Sequence, residues 1–270
     1  MWARRSLVVV SVCTAACSLV VSLGDLEGPR DAAVDAGGDA TDAQDASDAG
    51  DASTAPDGPF CAAHADASFC EDFDDDAVAF GARWSGTTVS GDGSALGPTS
   101  SRFVSSPVSA AIHVSAADAG LAIARLEKAF PSTAQNVQLD FDVYLVARPT
   151  IANVDLVDIT VGELEFSLLL EPGRDQGREE YTAPDGGYQD LRWIAATPLP
   201  AGKWTHVTLS MTLGASGTVT LAYDSVAVRL GAWLSATAPA VPDLQMGLAF
   251  EQAPRDAQDI NVDNVVIEVK

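Results

Sequence analysis

Basic residues are scarce in this chain of 270 residues: 15 Lys and Arg stand against 38 Asp and Glu, for a net charge of -23 and a pI near 4.1. Such a field repels phosphates, which excludes nucleic acid as a partner and a basic patch for membrane surfaces. Histidine is scarcer still. His64, His113 and His206 lie far apart without ligand-spaced companions, so zinc coordination and histidine-base catalysis find little support. There is no Gly-x-Ser-x-Gly elbow, phosphate loop or dinucleotide fingerprint, and no long helical periodicity.

What is there begins with Arg4 and Arg5 ahead of a short apolar run that ends in small residues, the pattern of an export signal. Thr14-Ala15-Ala16-Cys17 resembles the lipobox of bacterial lipoproteins, although leucine is usual where Thr14 stands. The resemblance implies a signal peptide at 1–16 and diacylglycerol on Cys17, anchoring the chain in a lipid bilayer. Ser18 after the cysteine resembles the form sent to the outer membrane. Two alternatives stay open: ordinary cleavage after Ala16, releasing an extracellular protein, and retention of Ser6 to Leu23 as a marginal membrane span.

Residues 17–59 then form a linker. From Asp31 to Asp57 the text is almost entirely Asp, Ala, Gly, Ser and Thr, with acids at every third position between Asp42 and Asp51. Low hydrophobicity combined with like charge leaves nothing to offset ordering entropy, which predicts a disordered, extended tether. A calcium-binding Asp repeat would need ligands converging from defined loops.

From Phe60 to Lys270 the hydrophobic period becomes two, broken every eight to twelve residues by Gly, Pro, Asp or Asn. This predicts many antiparallel strands in an all-β, two-sheet sandwich or jelly roll. In Gln138–Val146, Leu139, Phe141, Val143 and Leu145 fall on one face while Gln138, Asp140 and Asp142 fall on the other. Thr218–Leu230 reads as a hairpin pivoting at Asp224-Ser225. Cys61 and Cys70, at the mouth of this domain in an exported chain, are placed for a disulfide.

Three stretches together resemble the concanavalin A-like lectin/glucanase family, laminin-G-like modules included: Phe69–Asp74 followed by Trp84, Pro200–Ser210, and Ile260–Ile267. The resemblance covers roughly 69–270 and implies that Trp84 and Trp204 are structural. It also implies a calcium site using Asp74 of the opening strand and Asp263 of the last. Glycoside hydrolases on this fold carry Glu-x-Asp-x-x-Glu on one strand, and that string is missing; Asp140-Phe-Asp142 and Glu163-Leu-Glu165 each lack the third acid. The reading therefore leans away from an enzyme, toward a surface module that binds polysaccharide. The ligand-binding candidates are Arg174, Tyr181, Tyr188, Asp190 and Trp193, in and beside a charged, glycine-rich excursion between strands (Glu171–Asp190). A structural or protein-interaction module and a degenerate hydrolase or lyase are the alternatives.

Overall fold

The computed structural model describes residues 60–182, 188–214, 217–228, 240–250 and 254–270, with side chains over the same ranges except 181–195. The leader, Cys17 and the linker lie outside the described residues.

A 3₁₀ turn, Phe60–His64, leads into fifteen strands: β1 (Phe69–Glu71), β2 (Gly86–Ser90), β3 (Ala95–Thr99), β4 (Ser109–Val114), β5 (Ala122–Ala129), β6 (Asn136–Leu145), β7 (Val154–Val161), β8 (Leu164–Glu171), β9 (Arg174–Thr182), β10 (Tyr188–Ala196), β11 (Trp204–Thr212), β12 (Thr218–Tyr223), β13 (Val226–Val228), β14 (Pro242–Phe250) and β15 (Gln258–Val269). They form two antiparallel sheets. Sheet A runs β13-β12-β11-β6-β15-β4-β3, with short β1 pairing β15 beyond the end of β4; sheet B runs β10-β9-β8-β7-β14-β5-β2. The domain is a jelly-roll β-sandwich.

Alternation in sequence becomes the two sides of each sheet. Leu139, Phe141, Val143 and Leu145 of β6 are buried in one core cluster with Leu126 of β5, Phe166 and Leu168 of β8 and Met246 and Leu248 of β14. Each such side chain contributes about 1.5–3 kcal/mol on burial. The hairpin forms where the sequence places it: Tyr223 pairs Val226, and Asp224 and Ser225 take φ of 50° and 64°, the left-handed pair a two-residue turn needs. Asp224 earns its position through its carboxylate, which accepts the His206 N–H at 3.0 Å and meets Lys203 at 2.9 Å. Trp84 is buried edge-on to Phe69, with centroids 5.0 Å apart. The Cys61–Cys70 disulfide is present and clasps the 3₁₀ turn to β1, as suits a protein matured in an oxidising, exported compartment.

One part differs from the expectation. Glu171–Asp190 is not an excursion between strands: Glu171 pairs Arg174 across a tight turn, and β9 follows at once. Trp84, read as structural, is a core residue, whereas Trp204, read the same way, is half-buried on the outer side of its sheet and lies edge-on to Tyr144 at 5.7 Å. The signal was in the alternation, since Val207, Leu209 and Met211 face the core and Trp204 shares the register of His206 and Thr208.

Candidate functional site

The side of sheet B away from the core carries an ordered row of polar residues. Reading across the ladder from β5, Glu127 pairs Gln245, which pairs Asp158, then Ser167, then Arg178, then Trp193 of β10. A second row holds Asp243, Thr160, Glu165, Glu180 and Asp190. A bulge in β7 between Asp155 and Val157 shifts the register, so that Asp155 joins the same face despite standing three residues from Asp158. A second irregularity, in β14 past Met246, holds Gly247 at a φ of 149°.

Contacts knit this face together. Arg178 reaches Asp155 at 3.6 Å, Glu180 at 3.2 Å and the Ser167 hydroxyl at 3.4 Å, and that hydroxyl donates to Glu165 at 3.4 Å. Arg125 lies 3.5 Å from Glu127, which also accepts the Thr88 hydroxyl. At the centre, Asp158 is 8% exposed with no partner on Oδ1, and the neighbouring Gln245 amide makes no hydrogen bond among the described residues. Burial, reinforced by the Glu165 charge, pushes the Asp158 carboxyl up to about 6. A carboxyl that exchanges its proton near neutrality, an amide with free valences and two arginine forks form a set that can read sugar hydroxyls or acidic groups.

The sequence-predicted residues divide. Arg174 is exposed at the start of β9 and donates to Glu171 at 2.6 Å. By backbone register Tyr188 pairs Thr182, Tyr181 pairs Gln189 and Leu164, Asp190 pairs Glu180 and Trp193 pairs Arg178. Asp190 and Trp193 thus stand at the β10 end of the two polar rows; the side chains of Tyr181, Tyr188, Asp190 and Trp193 lie outside the described set. Gln245, Asp158, Arg125 and Arg178 were not singled out from sequence. Acids three apart in β7 break strand alternation, and only the bulge makes sense of them.

Asp74 and Asp263 converge on one segment, residues 104–108. Asp263 is fully buried and accepts the N–H groups of Val104 (2.7 Å), Ser105 (3.0 Å) and Asn264 (2.9 Å) and the Ser105 hydroxyl (3.1 Å). Asp74 accepts the Val108 N–H at 2.8 Å. Burial pushes Asp263 up to about 7 against these donors. These four donors take up the Asp263 lone pairs that a calcium ion at this position would need. No group of three or more His, Cys, Asp or Glu among the described residues is arranged to hold a metal.

No protein-family model and no curated protein matches the chain. Solved structures do resemble it. An endo-beta-1,4-glucuronan lyase from the fungus Trichoderma reesei superposes with a TM-score of 0.62 at 12% identity, over 76% of this chain and 96% of that one. A cellulose-induced protein, Cip1, gives 0.53 at 12% identity, over 75% and 97%. At this identity the likeness establishes the fold alone, a jelly-roll β-sandwich.

Proposed function

We propose that the chain is an exported lipoprotein, acylated at Cys17 and held at the outer membrane or cell surface, whose sandwich binds extracellular polysaccharide on the outer face of sheet B without cleaving it. The observation that carries this reading is the registered row Gln245, Asp158, Ser167 and Arg178, hydrogen-bonding groups gathered on a sheet face that hydrophobic packing does not require to be polar. A glucuronan lyase of the same fold supports the ligand class by analogy, and fold alone does not fix function.

The test is a glycan array probed with the purified chain, with calcium and with chelator, followed by Gln245→Ala. Selective binding that Gln245→Ala weakens about tenfold, the worth of one lost hydrogen bond to a charged or well-placed group, supports it. The Asp263 geometry leads us to expect the same signal in chelator. A folded chain that binds no glycan but captures an envelope protein moves the domain to the protein-interaction class. Radiolabelled palmitate incorporated by the wild type and lost in Cys17→Ala supports the anchor.

A second reading has one observation in its favour. Asp158, pushed up to about 6 beside Glu165, has the asymmetry of an acid–base pair. Release of reducing ends or unsaturated sugars by the wild type, abolished in Asp158→Asn, would establish an enzyme.

A further inference from the structure

The side of sheet A away from the core carries a groove of about 500 Å³, unrelated to the sheet B row. Three members of one lateral row of the ladder line it, Gly97, Ala111 and Asn261, and the row runs on through Tyr144 to Trp204. The two smallest members form the floor, and a Cβ placed on Gly97 would meet nothing within 4 Å. Tyr144 and Trp204, both half-buried, continue the row as an aromatic pair beside it.

Two polar groups at the groove are unspent. Asn261 lines it, is 4% exposed, and makes no side-chain hydrogen bond among the described residues. Buried amides are ordinarily satisfied. Arg102, exposed at the rim, lies 4.8 Å over the Tyr144 ring. Among the arginines whose side chains are described, it is the one whose guanidinium makes neither an ion pair nor a hydrogen bond. In a chain with 38 acids, leaving a guanidinium without a carboxylate is a choice of position. The Asp259 carboxylate across the groove is occupied by His113 at 2.7 Å.

We infer that this groove binds an acidic oligosaccharide: a sugar carboxylate on the Arg102 fork, hydroxyls on the Asn261 amide, and the apolar face of a pyranose against the Tyr144–Trp204 edge. The planar fork suits a carboxylate, and stacking on Tyr144 preorganises it. Floor residues without side chains admit the ring. The site is separate from the sheet B row and needs no part of it.

The experiment titrates the full chain with oligogalacturonate, oligoglucuronate and oligomannuronate, each against its uncharged methyl ester. The variants are Arg102→Ala, Asn261→Ala, Gly97→Leu, whose Cβ enters open space, and Gln245→Ala on sheet B; Tm is recorded for each. At least one acid oligomer should bind better than its ester. Arg102→Ala and Gly97→Leu should each weaken that binding tenfold or more at unchanged Tm. Failure of all three oligomers to bind overturns the inference, as does binding unaffected by Gly97→Leu. Loss on Gln245→Ala alone overturns the groove while sheet B stands, and loss on Gly97→Leu alone supports the groove and removes sheet B as the site.

Discussion

Across sheet A the outward row Gly97, Ala111, Asn261, Tyr144 and Trp204 holds no ionisable acid or base beyond the tyrosine hydroxyl, and its floor is open. Across sheet B the row Glu127, Gln245, Asp158, Ser167 and Arg178 holds three charged types, with Asp158 and Arg178 buried. The same antiparallel geometry therefore supports one outer row tuned by shape and another tuned by charge. Small residues create the first, and register irregularities in β7 and β14 create the second. The lesson is that a sandwich core constrains only every other residue, leaving each outer face free to be specified independently.

The largest expected contrast sits in two glycines. A Cβ on Gly247 would lie 2.3 Å from the Ala124 carbonyl oxygen and 2.7 Å from the Arg125 Cα, whereas Gly97 is unobstructed. Gly247→Ala should destabilise by about 3 kcal/mol or more, through combined clash and backbone strain, while Gly97→Ala should stay within about 0.5 kcal/mol. Urea midpoints decide it, and equal midpoints would break the contrast between the faces.

Charge on sheet B should next appear as pH dependence. The folded state holds Asp158 near 6 against an ordinary value of 3.8. It binds the proton more tightly than the unfolded chain does, so stability falls as pH rises from about 4 to about 6 and stays reduced above. Asp158→Asn should therefore match the wild type at pH 4 and exceed it at pH 8 by on the order of 3 kcal/mol. A gap that does not change with pH would show that Glu165, Arg125 and Arg178 compensate the charge fully. Asp263 behaves the same way on sheet A, its window extending to about 7.

Smaller effects sharpen the aromatic side of the comparison. Trp204→Ala removes the edge-on contact with Tyr144 and should cost about 1 kcal/mol beyond the area lost. It should weaken binding of any sheet A ligand and leave a sheet B ligand alone. His206 meets Asp142 at 2.9 Å and Asp140 at 3.7 Å, and these carboxylates raise its pKa to about 10. Its contribution is complete below about 6.5 and fades as pH rises toward 10. Because the ring is 42% exposed, solvent screening holds the effect of His206→Gln to about 1 kcal/mol at neutral pH, read as a Tm difference that closes at pH 10.

The sandwich was legible where strands alternate cleanly, as in β6 and β11, and where turn residues mark their ends. β9 was not legible, because Arg174–Thr182 has almost no apolar residues to alternate. Its inward Asp175 is fully buried, satisfied by Arg148 at 2.5 Å, the Leu199 N–H at 2.5 Å and the Tyr223 hydroxyl at 3.3 Å, partners drawn from distant strands and loops. Pairing between positions 24 to 48 apart in the chain leaves no local trace. The sheet A groove was hidden differently: Gly97 and Ala111 look like ordinary strand residues, and Tyr144, Asn261 and Trp204 become neighbours only in the folded ladder.

The disulfide has a mechanical consequence. Cys70 lies in β1, hydrogen-bonded along the last strand opposite Val266, and its bond to Cys61 bypasses the residues between them. Tension transmitted along the preceding segment therefore reaches the sandwich at β1 and β15, near its middle, without first uncoiling the 3₁₀ turn. A pull on the chain ahead of Cys61 would load two strands lengthwise, and the clasp would keep the N-terminal edge from fraying under it.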